Sequence, residues 1–393
     1  MAEQSKTVLI IGATGVFGRR LATHLSEHHQ DLNLILTSRN ADRAETLAQH
    51  LRQQNDGESN RTVIGVAFDR ADDVAGFLSA HQPWAVVDCT GPFQRADYHL
   101  AEAAINQGCH VIDLADASDY LESYHPALDK RARAQGVVAI AGASSTPALS
   151  GAVIAKLTAG WQQVQDLQIA ITPGGRSEVG QAVIEAVLSY AGQPVTIWQR
   201  GKRDQALGWR DGQMMTIPGL GRRRVALVET ADATLWGQRC WVEGDVRFYA
   251  GLESRLEQYG LEALAWLRAR DWLSKWMSNP ERLAPWLKKA RRGTRLFTSN
   301  RGGMVVRATG RDRLGQARTA RWSLVADQDH GPNVPVMAAI ASLEKLANAP
   351  PKPGAYLAHE VLSLSDIEAP MASYAIVTKT ERDVDLDVEP EAA

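Results

Sequence analysis

The chain has 393 residues, 45% hydrophobic and 22% charged, with a net charge of -2. That length predicts two domains or three, with enough apolar surface to bury a core without staples. The near-neutral balance excludes a globally basic nucleic-acid binder, and three scattered cysteines without a CxxC pair exclude a disulfide framework.

Residues 1–6 are polar, and the apolar run 7–11 is too short for a signal or membrane-spanning segment, so a cytoplasmic location is expected. Short apolar runs follow at 8–11, 34–37, 63–67, 85–89, 110–114 and 137–141. Helical patterns lie between them at 17–28, 42–51 and 96–106; in the first, Phe17, Leu21 and Leu25 share one face. Strand–helix alternation with near-continuous apolar strands predicts an α/β fold, a Rossmann-type doubly wound parallel sheet over residues 1–150.

Past residue 160 the pattern changes. Ten of the 11 tryptophans lie there, and the apolar runs lengthen and alternate. Residues 167–172, 196–199, 239–249, 304–309 and 318–326 read as strands and 178–190 as a helix. The last two strands flank a polar turn at 311–315 and predict an antiparallel hairpin. A second α+β domain with a largely antiparallel sheet is therefore expected over 151–330. A helix at 334–347 opens a segment, 331–377, expected to return to the first domain. Residues 378–393 are acidic and read as a mobile tail.

The sharpest local signal is Gly12-Ala-Thr14-Gly15-Val16-Phe17-Gly18 after the first strand. Gly12 permits a tight turn, Gly15 removes a Cβ where a pyrophosphate would approach, and Gly18 allows close helix–strand packing. The helix opening there directs free N–H groups and its positive dipole end at phosphates. A plain glycine turn without nucleotide is the competing reading.

The tip of the second strand discriminates between cofactors. NAD sites place an acid there, whereas NADP sites can place an arginine. The sequence is Thr37-Ser38-Arg39-Asn40, without an acid. Arg39 can pair with a 2′-phosphate and Ser38 can donate to it, which favours NADP over NAD; a solvated surface charge is the alternative for Arg39. Asp69, after the third strand, either caps the following helix or faces the adenine, the cap being preferred.

Further groups gather at the carboxyl ends of the fourth to sixth strands. Thr90-Gly91-Pro92-Phe93 makes a sharp turn, and Asp113, Asp116, Tyr98, His99 and Tyr120 are the nearby groups able to move a proton. Caps, loop hydrogen bonds and surface positions compete for each. No His/Cys/Asp cluster has metal spacing.

The glycine turn, Thr90–Phe93, the stretch around Asp113 and Gly142-Ala-Ser-Ser-Thr-Pro147 together resemble the saccharopine dehydrogenase-like oxidoreductases. The resemblance implies a Rossmann domain with NAD(P), and a second domain that covers the active cleft and supports a homodimer. It implies cofactor contacts at Gly12, Thr14, Gly15, Val16, Phe17, Arg39, Thr90, Gly91, Pro92 and Asp113. Ala117 stands where many relatives carry an acid after the fifth strand, so saccharopine itself is a poor substrate expectation. A short-chain dehydrogenase is disfavoured because no tyrosine has lysine four positions on. The expectation is an NADP(H)-dependent oxidoreductase acting on a small or lipophilic substrate; the alternative is a catalytically silent NADP-binding regulator or scaffold.

Residues 256–295 hold Trp266, Trp272, Trp276 and Trp286, followed by Lys288, Lys289, Arg291, Arg292 and Arg295. A packed helical excursion with buried tryptophans is the favoured reading. A substrate-lining lid and a membrane-interface element are the alternatives.

Overall fold

The computed structural model describes residues 6–54, 61–94, 96–270, 283 and 293–386. They form two units: Met1–Leu149 with Pro332–Pro370, and Ser150–Gly331 with Met371–Ala393.

The first unit is organised by strands with no polar face. In β1 (Thr7–Ile11) and β2 (Asn33–Ser38), Val8, Leu9, Ile10, Leu34 and Leu36 are wholly buried, as a sheet covered on both faces requires. With β3 (Val63–Ala67), β4 (Ala85–Asp88), β5 (His110–Asp113) and β6 (Val138–Ala141) they form a parallel sheet in the order β3-β2-β1-β4-β5-β6. A seventh strand among the described residues, Gly354–Leu357, runs parallel beside β6. The strand order reverses between β1 and β4, the position at which open α/β sheets bind ligands.

Five helices connect the first six strands: α1 (Val16–His28), α2 (Ala41–Gln54), α3 (Val74–His81), α4 (His99–Asn106) and α5 (Ser118–Gln135). The helix Val334–Asn348, with Val336, Met337, Ala339 and Ile340 fully buried, packs against α1. Its apolar side chains surround the axis almost completely, and such a helix is stable only inside a core.

The second unit holds a mostly antiparallel sheet of β7 (Trp161–Thr172), β8 (Pro194–Gln199), β9 (Lys202–Leu207), β10 (Gln213–Ile217), β11 (Gly221–Leu227), β12 (Val246–Ala250), β13 (Gly302–Asp312) and β14 (Ala317–Ala326), joined by Ile376–Arg382. Only β7 and β12 pair in parallel among the described strands. β13 and β14 form the long hairpin expected from the sequence, with ten register pairs from Gly302↔Ala326 to Arg311↔Ala317.

Two sequence expectations need correction here. The strand expected over 239–249 is three elements: the end of the helix Ala231–Arg239, a turn in which Trp241 has φ 49°, and then β12. The helix prevails because Ala231, Ala233, Leu235 and Trp236 are buried, while Asp232 accepts from the Trp236 indole N–H at 2.9 Å and from the Ser150 hydroxyl. The tail expected over 378–393 is a strand up to Arg382, paired antiparallel to β14. The buried Arg321 guanidinium holds Glu381 at 2.9 Å, so charged residues are part of the pairing. Correspondingly, the segment belonging to the first unit ends at Pro370 and not at 377.

Candidate functional site

The turn from β1 into α1 is shaped by three glycines with three different needs. Gly12 has φ 75°, and a Cβ there would lie 2.6 Å from Thr90 Cγ2. A Cβ on Gly18 would lie 2.3 Å from the Gly12 carbonyl oxygen and 2.8 Å from Ala13 Cα, so the helix touches the turn backbone directly. Gly15 differs: it is exposed, has an ordinary φ of -72°, and meets only the Gly12 oxygen at 3.2 Å. Gly15 is also the N-cap of α1 with no side-chain cap, and the first turn, with the half-buried Val16 and Phe17, carries no acid. Its backbone donors and positive dipole end are therefore uncompensated by side-chain charge, as an anion site needs.

The tip of β2 lies against the same turn. Thr14 Oγ1 donates to Ser38 Oγ at 3.2 Å, and the Ala13 N–H donates to the Thr37 carbonyl at 2.9 Å. Asn40 caps α2 by accepting the Arg43 N–H at 3.0 Å. Arg39 is exposed and makes no hydrogen bond or ion pair among the described residues. Asp69 does not cap a helix: it accepts the Ala71 N–H at 3.1 Å within the loop, while Asp73 caps α3 through the Gly76 N–H. The preferred reading of Asp69 as a helix cap is thus corrected by four positions.

On the other side of the strand-order reversal, Thr90, Gly91, Pro92 and Phe93 follow β4. The Gly91–Pro92 peptide is cis; Gly91 and Pro92 are exposed and Phe93 is buried. Asp88 Oδ1 accepts both the N–H of Thr90 at 2.9 Å and its hydroxyl at 2.5 Å. Arg70 approaches from the loop after β3, with Nη1 3.1 Å from Thr90 Oγ1 and 3.3 Å from Asp88 Oδ2. Burial raises the Asp88 pKa and Arg70 opposes that rise. Neither Arg70 nor Asp88 stood out in the sequence, because they lie 18 positions apart, one in a loop and the other on a strand.

Asp113, Tyr98 and Tyr120 come together; His99 and Asp116 do not join them. Asp113 Oδ1 accepts the N–H groups of Gly142 at 2.9 Å and Ala115 at 3.0 Å, and Oδ2 accepts the Tyr120 hydroxyl at 3.1 Å. Burial pushes its pKa up to about 7. Tyr98 donates to the Tyr120 carbonyl at 2.6 Å, and its ring lies 4.8 Å from that of Tyr120. Phe93 and the wholly buried Tyr124 pack on Tyr120 at 5.5 and 5.8 Å. Burial and the Asp113 charge raise the pKa values of all three tyrosines, so their hydroxyls keep their protons at neutral pH. The side chains of His99, at the start of α4, and Asp116 are exposed.

Most of the chain that builds this rim falls within a family comparison. Residues 8–140 match the family model described as the saccharopine dehydrogenase NADP binding domain. The match lies within the first unit. The fold agrees over a longer span: apo histidine-tagged saccharopine dehydrogenase (L-Glu forming) from Saccharomyces cerevisiae matches with a TM-score of 0.63 at 15% identity, covering 96% of this chain and 100% of that one. That likeness is one of fold. A lipid droplet localized protein of Caenorhabditis elegans is 25% identical over 145 residues, 36% of this chain. The match spans 34% of that relative's length.

The cradle fits a dinucleotide: Gly15 leaves the helix N-terminus open, and the Thr14–Ser38 pair sits beside the exposed Arg39. The family match supports a nicotinamide cofactor. Among the described residues no group of three or more His, Cys, Asp or Glu could hold a metal, and no helix is long and apolar enough to cross a membrane. Of the tryptophan-rich excursion, Trp272, Trp276, Trp286, Lys288, Lys289, Arg291 and Arg292 lie outside the described residues. Trp266 is half-buried in the helix Arg255–Arg268, with the Arg270 guanidinium 4.0 Å from its ring centroid.

Proposed function

We propose that the protein is an NADP(H)-dependent oxidoreductase of the saccharopine dehydrogenase-like group. The observation that carries the NADP preference is the tip of β2. Ser38 is oriented by Thr14, Arg39 is exposed beside it, and no acid stands at the strand tip to hold a ribose 2′-hydroxyl. When bound, the cofactor supplies hydride acceptance or donation at its nicotinamide ring. The chain's part is to bind and orient it: the Gly12–Gly18 turn for the pyrophosphate, Ser38 and Arg39 for the 2′-phosphate, and Thr90–Phe93 with Gly142 for the remaining half. Asp116 and His99 are the exposed groups of this rim that can exchange a proton with a substrate.

A small or lipophilic organic substrate fits this reading, the lipophilic option supported by the name of the nematode relative. A homodimer and a reducing, cytoplasmic setting complete it; the three free cysteines agree with the latter. Calorimetric titration of the unmodified protein with NADPH and NADH tests the cofactor. Tighter NADPH binding is expected; equal affinities remove the preference, and no binding removes the nucleotide reading.

A catalytically silent NADP-binding regulator is the second reading. It is favoured by the commitment of Asp113 and Tyr120 to each other inside the protein. It predicts tight NADPH binding with no oxidation of the bound cofactor by any carbonyl or imine offered.

A further inference from the structure

We infer that Arg70 is a positioning residue that ties together the two mononucleotide halves of the nucleotide-binding sheet, holding the Thr90–Phe93 turn in place for the second half of the dinucleotide. The inference rests on the NADP reading above. Arg70 follows β3, the outermost strand of one half, whereas Asp88 and Thr90 close β4, the first strand of the other. β2 and β1 lie between them in the sheet. The loop that carries Arg70 and its side chain together therefore connect the end of β3 to the end of β4, on the far side of the strand-order reversal where ligands bind.

Its contacts define the turn atom by atom. Nη1 donates to Thr90 Oγ1 at 3.1 Å and to the Thr90 carbonyl at 3.4 Å, and it faces Asp88 Oδ2 at 3.3 Å. Thr90 Oγ1 donates its own hydrogen bond to Asp88 Oδ1 at 2.5 Å. With both roles of the hydroxyl filled, the Thr90 methyl is directed at Gly12, close enough that no Cβ fits there. Asp88 is buried and needs a cation, and Arg70 is the ion partner it has among the described residues. The first half is independent of this contact. Gly15, Ser38 and Arg39 share no hydrogen bond with Arg70 among the described residues.

The two halves can be read separately in solution. NADP spans both, whereas 2′,5′-ADP carries only the adenosine half with its 2′-phosphate. In calorimetry on the full chain, Arg70→Ala should weaken NADP binding about tenfold, the size of one charge-assisted contact, and leave 2′,5′-ADP within about twofold. Arg70→Lys should recover part of the loss. Thr90→Val should show the same split and add little in combination with Arg70→Ala. Should Arg70→Ala not fold, the Lys and Val variants still report the split. Equal weakening of both ligands, or none, in a chain whose unmodified form binds both overturns this inference alone. Unmodified protein that binds neither ligand overturns the nucleotide reading and this inference with it.

Discussion

Asp113 stands directly across the β4–β5 ladder from Asp88, and these two buried carboxylates have opposite kinds of partner. Asp88 has a guanidinium; Asp113 has two backbone N–H groups and a phenol. The Asp88 charge adds to the cost of ionising Asp113, and among the described residues only Asp88 has a counter-charge.

That asymmetry gives a pH dependence with a defined sign. Asp113 titrates from 3.8 when unperturbed to about 7 in the folded protein. The folded state therefore binds more protons than the unfolded chain between those values. Its contribution to stability is full below about pH 4 and lost as the pH rises through about 7, a change on the order of 3–4 kcal/mol. Asp113→Asn should flatten the stability profile in that window, measured by urea unfolding at several pH values. An unchanged slope would assign the dependence to Asp88 or to the buried Asp232 instead.

Arg39→Ala should weaken NADP binding by about 1.5–3 kcal/mol, as for loss of a charge-assisted hydrogen bond to phosphate, and leave NAD binding nearly unchanged. Calorimetry with both nucleotides measures the difference. A parallel loss for both would move Arg39 away from the 2′-phosphate.

Gly15 and Gly18 should part company on substitution. Gly15→Val keeps an allowed backbone and meets only one atom, so thermal stability should stay within a few degrees while nucleotide binding disappears. Gly18→Ala drives a methyl group into the Gly12–Ala13 backbone and should cost about 1–3 kcal/mol of stability. Thermal melts of the two variants decide this, and a Gly15 variant that still binds NADP would place the phosphates elsewhere.

In the second unit, Glu381→Ala removes the carboxylate held by the buried Arg321 and should destabilise by about 3 kcal/mol. Lys379→Ala, on the same face of that strand, removes only the half-exposed ammonium from the same carboxylate and should cost less than about 1 kcal/mol. Chemical denaturation of both variants tests whether Ile376–Arg382 is anchored through that pair; equal small effects would sink the assignment.

Much of the first unit was legible because strands buried on both faces write themselves as unbroken apolar runs: 8–11 and 85–87 need no other signal. The glycine turn was legible for a similar reason, since each glycine answers a separate steric demand. Contacts between distant positions were not. Nothing near Arg70 in sequence marks it as the partner of Asp88, and nothing near Glu381 announces a buried arginine on β14. The acidic end was taken for a tail because a charged strand edge and a solvated tail have the same composition. The misassigned strand at 239–249 shows the same limit: a helix end, a turn and a strand, each apolar in part, join into one run.

Leu357 sits beside Ala141 in the sheet although all of the second unit's main body separates them in the chain. A ribosome that has just released residue 150 has therefore made six of these strands and left the edge of β6 bare. The largely buried helix Val334–Asn348 has not yet been made. Closure waits until the second unit's chain up to Gly331 has been synthesised, so the first unit, although six of its strands come early in the chain, is completed only shortly before the last strand of the second, Ile376–Arg382. That pairing is long-range, and until it forms β6 presents an unpaired edge of the kind that invites non-native strand pairing.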